Sequence, residues 1–146
     1  MDVVELVTTQ PVDVLHLDSN RLTSLPEEIG LMTGLKMLNL RWNQLTSLPE
    51  EIGLMTGLKT LNLGGNQLTS LPEEIGLMTG LKELTLGGNQ LTSLPEEIVA
   101  LTTLKTLHLY NNPLAKPQSS AVEAWLTALE AGGCEVKMIE YEDNGW

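Results

Sequence analysis

The feature that most constrains this chain is a 23-residue unit that recurs with almost no change. Residues 35–57, 58–80 and 81–103 are consecutive copies, a weaker copy covers residues 12–34, and a truncated copy starts at Leu104. Each copy carries leucines and an asparagine in the spacing L-x-x-L-x-L-x-x-N-x-L. A fixed period of roughly 20 to 29 residues is typical of a solenoid, in which each unit packs only on its neighbours.

The first half of each copy predicts a short strand. Leucines at the first, fourth and sixth places, such as Leu58, Leu61 and Leu63, would point inward, and the residues between them outward. This places strands near residues 13–18, 36–41, 59–64, 82–87 and 105–110. Strands one repeat apart are expected to pair in parallel, about 4.8 Å from each other.

The second half of each copy, S-L-P-E-E-I, predicts a short return turn. Serines at 24, 47, 70 and 93 stand three residues before a glutamate, which reads as a capping box at the start of a helical or 3₁₀ turn over about 25–32 and its equivalents. Glycines at 30, 34 and their equivalents are predicted to end this turn. The repeated glutamates would form a solvated convex face, and a metal or basic-partner site there is the less favoured reading.

One asparagine stands at the same place in every copy. An inward amide at the end of a strand can satisfy backbone N–H and C=O groups where the ladder stops. The column is therefore predicted to be structural. Its members are Asn20, Asn43, Asn66, Asn89 and Asn112, and none lies in an N-x-S/T sequon.

The two ends of the chain differ from the repeats, and the whole is predicted to be one domain. Residues 1–11 are expected to cap the stack, residues 12–118 to hold five repeats starting near 12, 35, 58, 81 and 104, and residues 119–146 to form a second cap. In that second cap, Ser120 and Glu123 suggest a capping box for a helix over roughly 119–131. Its apolar face would comprise Ala121, Val122, Trp125, Leu126 and Leu129. A divergent edge strand follows over residues 134–141, with Cys134, Val136 and Met138 facing inward, before a loose tail.

The residues Leu58, Leu61, Leu63, Asn66, Leu68, Leu71, Pro72 and Ile75 closely resemble the leucine-rich repeat family. The L-P-x-E-I-G segment is most similar to its intracellular and bacterial branch. The resemblance implies an α/β fold: a right-handed solenoid with a parallel concave sheet, helical or 3₁₀ turns on the convex side, and terminal caps. It also implies a binding function, although members of the family bind different partners.

Composition narrows the classes of partner. Eight basic against 19 acidic residues leave a net charge of −11, which argues against nucleic acid and against anionic membranes. The single cysteine cannot form an internal disulfide, and no secretory signal or membrane-spanning run is readable. These features predict a cytoplasmic protein, with a secreted chain that has lost its signal as the alternative, and a monomer or weak dimer.

No catalytic or metal-binding constellation is predicted, and no cofactor. Cys134 falls on the inward phase of an edge strand, which indicates a buried, inert thiol. His16 and His108 share one outward column but lie four repeats apart, or about 19 Å by strand spacing, so they cannot share a metal. The chain is therefore predicted not to be an enzyme.

Differences between the repeats point to the outward face of the strands. Copies two and three differ only at Met37/Thr60, Arg41/Gly64 and Trp42/Gly65, and the next copy first departs on the same face. Trp, Arg and Tyr are the residue types that dominate interface energetics. The predicted binding residues are Met37, Asn39, Arg41, Trp42, Thr60, Asn62, Gly64, Gly65, Glu83, Thr85, Gly87, Gly88, Thr106, His108 and Tyr110.

The function predicted from these residues is binding of a protein or an extended peptide on the concave face. Trp42 and Tyr110 would stand about 14 Å apart, with bare glycine backbone forming a trough between them. Two alternatives stay open. Near-identical repeats are also expected of a structural or engineered consensus scaffold without a natural ligand, and a glycine-floored trough could capture a small molecule.

Overall fold

Each repeat contributes one short strand to a six-stranded parallel sheet whose strand order follows the chain. The computed structural model describes residues 12–138. Neighbouring repeats pair in register, so Leu38 lies beside Leu61 and Leu61 beside Leu84. The predicted parallel pairing is confirmed. The strands are β1 (Val14–His16), β2 (Met37–Asn39), β3 (Thr60–Asn62), β4 (Glu83–Thr85), β5 (Thr106–His108) and β6 (Glu135–Lys137).

The strands are only three residues long, about half the predicted length. Hydrogen bonds between repeats do continue past them: Leu40 N–H donates to Asn62 O at 2.8 Å, and Trp42 N–H to Gly64 O at 2.9 Å. In the second repeat this ladder of hydrogen bonds ends at Trp42, because Trp42 takes a left-handed conformation with φ of 60°. That region of backbone space cannot continue an extended ladder.

Leucine, isoleucine and methionine fill the interior in layers. In the third repeat, Leu58, Leu61, Leu63, Ile75 and Met78 are all fully buried. On the side opposite the sheet, each repeat returns through a 3₁₀ turn: η1 (Glu27–Leu31), η2 (Glu50–Leu54), η3 (Glu73–Leu77) and η4 (Glu96–Ala100). A parallel sheet backed by short 3₁₀ turns is the predicted α/β solenoid.

The predicted serine capping box of these turns is wrong. The N-cap residues are prolines, as at Pro26, and no side chain caps any of the four turns. Pro26 is extended, and its carbonyl accepts the Ile29 N–H at 3.1 Å to close the turn. The N-cap therefore lies two residues beyond Ser24, which leaves that hydroxyl outside capping position.

The glycines inside the turns have a different role from the one predicted. Gly30, Gly53 and Gly76 do not take left-handed conformations. Instead, a Cβ on Gly53 would lie 2.7 Å from the carbonyl oxygen of Glu74 in the next turn. Glycine is needed because successive turns stack too closely for a side chain. The fourth copy carries Val99 at this place, where the α-helix described below follows instead of another 3₁₀ turn.

The structural role of the asparagine column is confirmed for the four members that lie between repeats. Asn66 Nδ2 donates to the carbonyls of Leu40 and Leu63, both at 3.0 Å, while its Oδ1 accepts the Leu45 N–H at 3.0 Å. Each buried amide thus joins the end of its own strand to the preceding repeat. Asn20 is the exception, since it is exposed and, among the described residues, its side-chain amide donates to Asp18 O within its own repeat.

Helix α1 (Ser120–Ala131) packs beside η4 and covers the last repeat. Its N-cap is Ser119, which accepts the Val122 N–H, and Glu123 Oε1 accepts the Gln118 N–H at 2.8 Å. The predicted Ser120 cap is therefore one residue too late. Trp125 is core as predicted, and its Nε1 donates to Leu101 O at 3.0 Å.

The rest of this end largely follows the predicted pattern. Val122, Leu126 and Leu129 are buried, but Ala121 is exposed, so its predicted place on the apolar face is wrong. Cys134 is buried, while Val136 and Met138 pack half-buried against the core. The predicted cap over residues 1–11 and the strand end and tail over residues 139–146 lie outside the described residues.

We expect Asn66→Ala to lower the free energy of unfolding by about 1–3 kcal/mol, because it leaves buried backbone groups of two repeats unpaired. Urea unfolding measures this. The matched control is Gln67→Ala at the exposed neighbouring position, expected to change the free energy of unfolding by less than about 0.5 kcal/mol. Equal losses at the two positions would contradict the ladder role of the asparagine.

A chain ended at residue 118 is expected to aggregate or to lose cooperative unfolding. Without α1, the leucine layer of the last repeat is open to water, and terminal repeats without a polar cap are poorly soluble. Light scattering and a thermal melt measure this. A truncated chain that stays monomeric and melts sharply would show that α1 is not a cap.

Candidate functional site

The outward residues of the strands form one continuous surface, named here the concave face. Met37, Thr60 and Glu83 stand on it, each next to a fully buried leucine of the same strand. The structure therefore places the outward columns in the register used for the predicted site. All the predicted binding residues lie on β2 to β5 or in the segments that directly follow them.

A groove of about 520 Å³ runs across one side of this face. It brings together the later residues of each repeat and leaves out Met37, Asn39, Thr60, Glu83 and Thr106. It also includes Asn111, which was not among the predicted binding residues. The lining residues are Arg41, Trp42, Asn62, Gly64, Gly65, Thr85, Gly87, Gly88, His108, Tyr110 and Asn111.

Two aromatic side chains lie against glycines of the groove rather than standing as walls beside an open floor. A Cβ on Gly65 would lie 2.3 Å from Cε3 of Trp42, and a Cβ on Gly87 would lie 2.6 Å from Cε2 of Tyr110. The expectation of four bare glycines is therefore wrong for these two. A Cβ on Gly64 would meet only ordinary contacts, the nearest at 3.4 Å, so a Cβ can be accommodated at this buried glycine.

The glycines at 65 and 88 belong to a column with left-handed backbone. The φ angles are 69° and 73° at these glycines, 58° at Ser19, 60° at Trp42 and 54° at Asn111. Glycine adopts this conformation without penalty, whereas other L-residues are disfavoured by roughly 1–2 kcal/mol. The signal in the sequence was the column itself, because Gly, Ser and Asn recur where a turn needs positive φ. Trp42 is the member that departs from it.

Trp42 is consequently both strained and exposed. Its side chain is 58% exposed although it rests on Gly65. The Arg41 guanidinium lies 4.9 Å from the centre of its ring, close enough for a cation–π contact. Residues held in sparsely populated backbone conformations cluster at functional sites. A bulky aromatic at a left-handed position is therefore the strongest functional signal in the groove.

The polar groups of the groove differ in how well they are paired. Asn62 Oδ1 accepts the Gly64 N–H at 3.1 Å, so this amide holds the end of its own strand. Asn39 does the same for Arg41. By contrast, Thr85 Oγ1 and His108 Nε2 are buried without a hydrogen-bond partner among the described residues. His108 Nε2 lies 3.7 Å from a Glu135 carboxylate oxygen.

Residues with reactive chemistry are separated in the fold. Burial raises the pKa of the Cys134 thiol, Glu130 and Glu135 add to this, and Lys105 opposes it. A buried thiol with a raised pKa holds little thiolate, which is the nucleophilic form. Within residues 12–138, no group of three or more His, Cys, Asp and Glu side chains is placed to hold a metal ion. No helix in the same range is long and apolar enough to cross a membrane.

A parallel strand in every repeat, a buried asparagine ladder and 3₁₀ returns define a leucine-rich repeat solenoid. The family profile described as a leucine-rich repeat region matches residues 12–130, and the chain belongs to this family. No curated protein matches it.

Solved structures give the same result, with 211 matching chains. One is a leucine-rich repeat protein of Leptospira interrogans, 28% identical, with a TM-score of 0.57. The match covers 96% of this chain and 45% of that chain, so this chain spans less than half of that relative's length.

We expect Trp42→Gly to be more stable than Trp42→Ala by about 1 kcal/mol, because both remove the indole but only glycine adopts positive φ without strain. Urea unfolding of the two variants measures the difference. Leu38→Ala serves as the comparison for a loss of core packing, because Leu38 is fully buried. It should lower the free energy of unfolding by about 2–5 kcal/mol. An alanine variant as stable as the glycine variant would contradict the strain at this position.

Proposed function

We propose that this chain is a non-catalytic binding module that takes a protein segment or an extended peptide in the concave groove. The observation that carries the proposal is Trp42, an exposed indole on a left-handed backbone where the next two repeats have glycine. Folding alone favours glycine there. A contact that Trp42 makes with a partner would account for its presence, since tryptophan is enriched among the residues that dominate interface energies.

The groove's shape favours a narrow ligand over a flat surface. Trp42 and Tyr110 each cover one glycine, and Gly64 between them is buried without an aromatic ring against it. The backbone groups of the neighbouring segments are already used between repeats, as in the bond from Gly65 N–H to Gly87 O at 2.8 Å. A ligand would therefore be recognised by stacking on the aromatic rings and by side-chain hydrogen bonds, not by adding a strand.

The polar groups indicate what the ligand would carry. Arg41 can pair with a carboxylate. Thr85 Oγ1 and His108 Nε2 have no hydrogen-bond partner among the described residues, although Glu135 lies 3.7 Å from His108 Nε2, and both atoms would accept or donate a hydrogen bond. Glu83 and the net charge of −11 disfavour a strongly acidic partner overall. The best match is a mostly neutral segment with one acidic side chain near Arg41 and polar groups toward Tyr110.

Small-molecule capture is a second candidate, favoured by one observation. The groove volume of about 520 Å³ lies within the range of small-ligand pockets, roughly 300–1,000 Å³. The lining combines the rings of Trp42 and Tyr110 with polar side chains such as Asn62 and Thr85, which could fix the orientation of a small ligand. A ligand of this kind would depend on Trp42 as well, but would not need a protein or peptide chain.

The test starts with capture of partners from a native lysate, followed by affinity measurements on the partner identified. Trp42→Ala is expected to weaken binding by about 2 kcal/mol or more, as for a hot-spot residue. Gly64→Leu should block binding, because its Cβ fits without a close contact and the rest of the side chain would occupy part of the groove. Thermal melts check that both variants remain folded.

Glu73→Lys is the matched control, because it changes an exposed charge on the opposite face. Binding is expected to stay within about threefold, apart from any effect on electrostatic steering. If a partner binds Trp42→Ala and Gly64→Leu with unchanged affinity but loses affinity for Glu73→Lys, the concave site is refuted. A small molecule retained without any protein partner would favour the second candidate.

A further inference from the structure

A second apolar surface lies on the convex side of the solenoid. Leu31, Leu54 and Leu77 end three successive 3₁₀ turns and are 62%, 54% and 55% exposed. Among the described residues, the other exposed large hydrophobics are Val14 and Trp42, both on or beside the concave face. The leucines of all other repeat positions serve the core, so these three need a separate explanation.

Each exposed leucine shares its face of the turn with a glutamate. Side chains three residues apart eclipse each other in a 3₁₀ helix, which places Glu51 above Leu54 and Glu74 above Leu77. The contacts agree: Cβ of Glu74 and Cδ1 of Leu77 lie 2.9 and 3.1 Å from a Cβ position built on Gly53. We name this surface the convex ridge: Leu31, Leu54 and Leu77 with Glu28, Glu51 and Glu74.

Glycine makes the convex ridge continuous from one turn to the next. Leu54 leans over Gly30 and Leu77 over Gly53, and neither glycine has a side chain that would separate neighbouring leucines. The ridge ends at η4, where Ala100 replaces the leucine and Val99 the glycine. At that point α1 packs beside the turn. The apolar ridge is therefore confined to η1, η2 and η3.

Among residues 12–138, the glutamates of the ridge form no ion pair. Glu74 Oε2 is buried and has no hydrogen-bond partner among the described residues. The ion pairs within residues 12–138 involve His16, His108 and Lys137, and none of them involves a ridge glutamate. A buried carboxylate oxygen without a donor is unfavourable, and a basic side chain supplied from outside would remove that penalty.

We infer that the convex ridge docks an amphipathic α-helix of a partner protein, with apolar side chains against the leucines and Lys or Arg toward the glutamates. Strands of successive repeats lie about 4.8 Å apart, and the 3₁₀ turns behind them follow at a spacing of the same order as the helical pitch of about 5.4 Å. Side chains at i, i+3 or i+4, and i+7 of a helix lying along the stack would thus meet successive turns. Helices present their apolar stripe to grooves in this way.

Charge and area separate this occupant from the others. A second copy of the chain would bring a ridge of the same negative charge, and three leucines fall well short of the roughly 800 Å² per partner of a stable interface. An anionic membrane is repelled by the glutamates. A short basic helix is complementary in charge and buries a surface of the size available.

The probe is an 18-residue synthetic helical peptide with leucines three and four residues apart and lysines beside them. Its binding to the protein is measured by fluorescence anisotropy. One control peptide has glutamates in place of the lysines, and a second has the same composition with the leucines scattered around the helix. The first peptide is expected to bind at least about tenfold more tightly than either control, because binding requires both its apolar stripe and its positive charge.

Protein variants then locate the site. Leu54→Gln combined with Leu77→Gln is expected to weaken binding about tenfold or more, and Glu74→Gln by a smaller factor. Trp42→Ala, on the other face, should leave affinity within about twofold. Leu54, Leu77 and Trp42 are exposed and Glu74 is partly buried, and a melt of each variant checks folding.

Chemical-shift mapping on the unmodified protein gives a reading that depends on no variant. Perturbed amides are expected at residues 28–31, 51–54 and 74–77. The inference is overturned if the designed helix fails to bind, if either control peptide binds equally well, or if affinity depends on Trp42 while the double leucine variant has no effect. None of these outcomes bears on the concave groove's own partner.

Discussion

The buried asparagine ladder is the interaction on which the rest of this solenoid depends. A single amide donates to the carbonyls of two successive repeats and accepts an N–H from the earlier one, as Asn66 does with Leu40, Leu63 and Leu45. These are backbone groups that the three-residue strands leave unpaired, and leaving them buried without partners would be unfavourable. The ladder also fixes the stacking register, which in turn keeps every leucine layer facing inward.

The same register decides what each surface can carry. Directly before the ladder asparagine, the chain needs a left-handed residue, and at this position the repeats place Ser19, Trp42, Gly65, Gly88 and Asn111. The side chain at that column leans over the next repeat along the concave face, as Trp42 does over Gly65. Strain in the backbone and exposure of the indole therefore arise together, at the edge of the groove.

On the convex side, close stacking of the 3₁₀ turns restricts which residues the repeats can carry. It excludes side chains at Gly30, Gly53 and Gly76, and it leaves Leu54 and Leu77 resting on Gly30 and Gly53 of the turns before them. The concave groove thus combines aromatic rings with Arg41 and neutral polar groups, whereas the convex ridge combines leucine with glutamate. The two surfaces are suited to different partners, and nothing in their geometry makes them compete.

The sequence by itself determined the period, the parallel order of the strands, the inward leucines and the asparagine ladder, because each follows from the spacing of residue types within one repeat. The predicted site residues share one face for the same reason. Contacts between repeats were decided only in the tertiary structure: the glycines that permit stacking, the aromatic rings lying against Gly65 and Gly87, and the exposure of Leu31, Leu54 and Leu77. A leucine inside and a leucine outside look alike in a sequence, and only the packing of neighbouring turns distinguishes them.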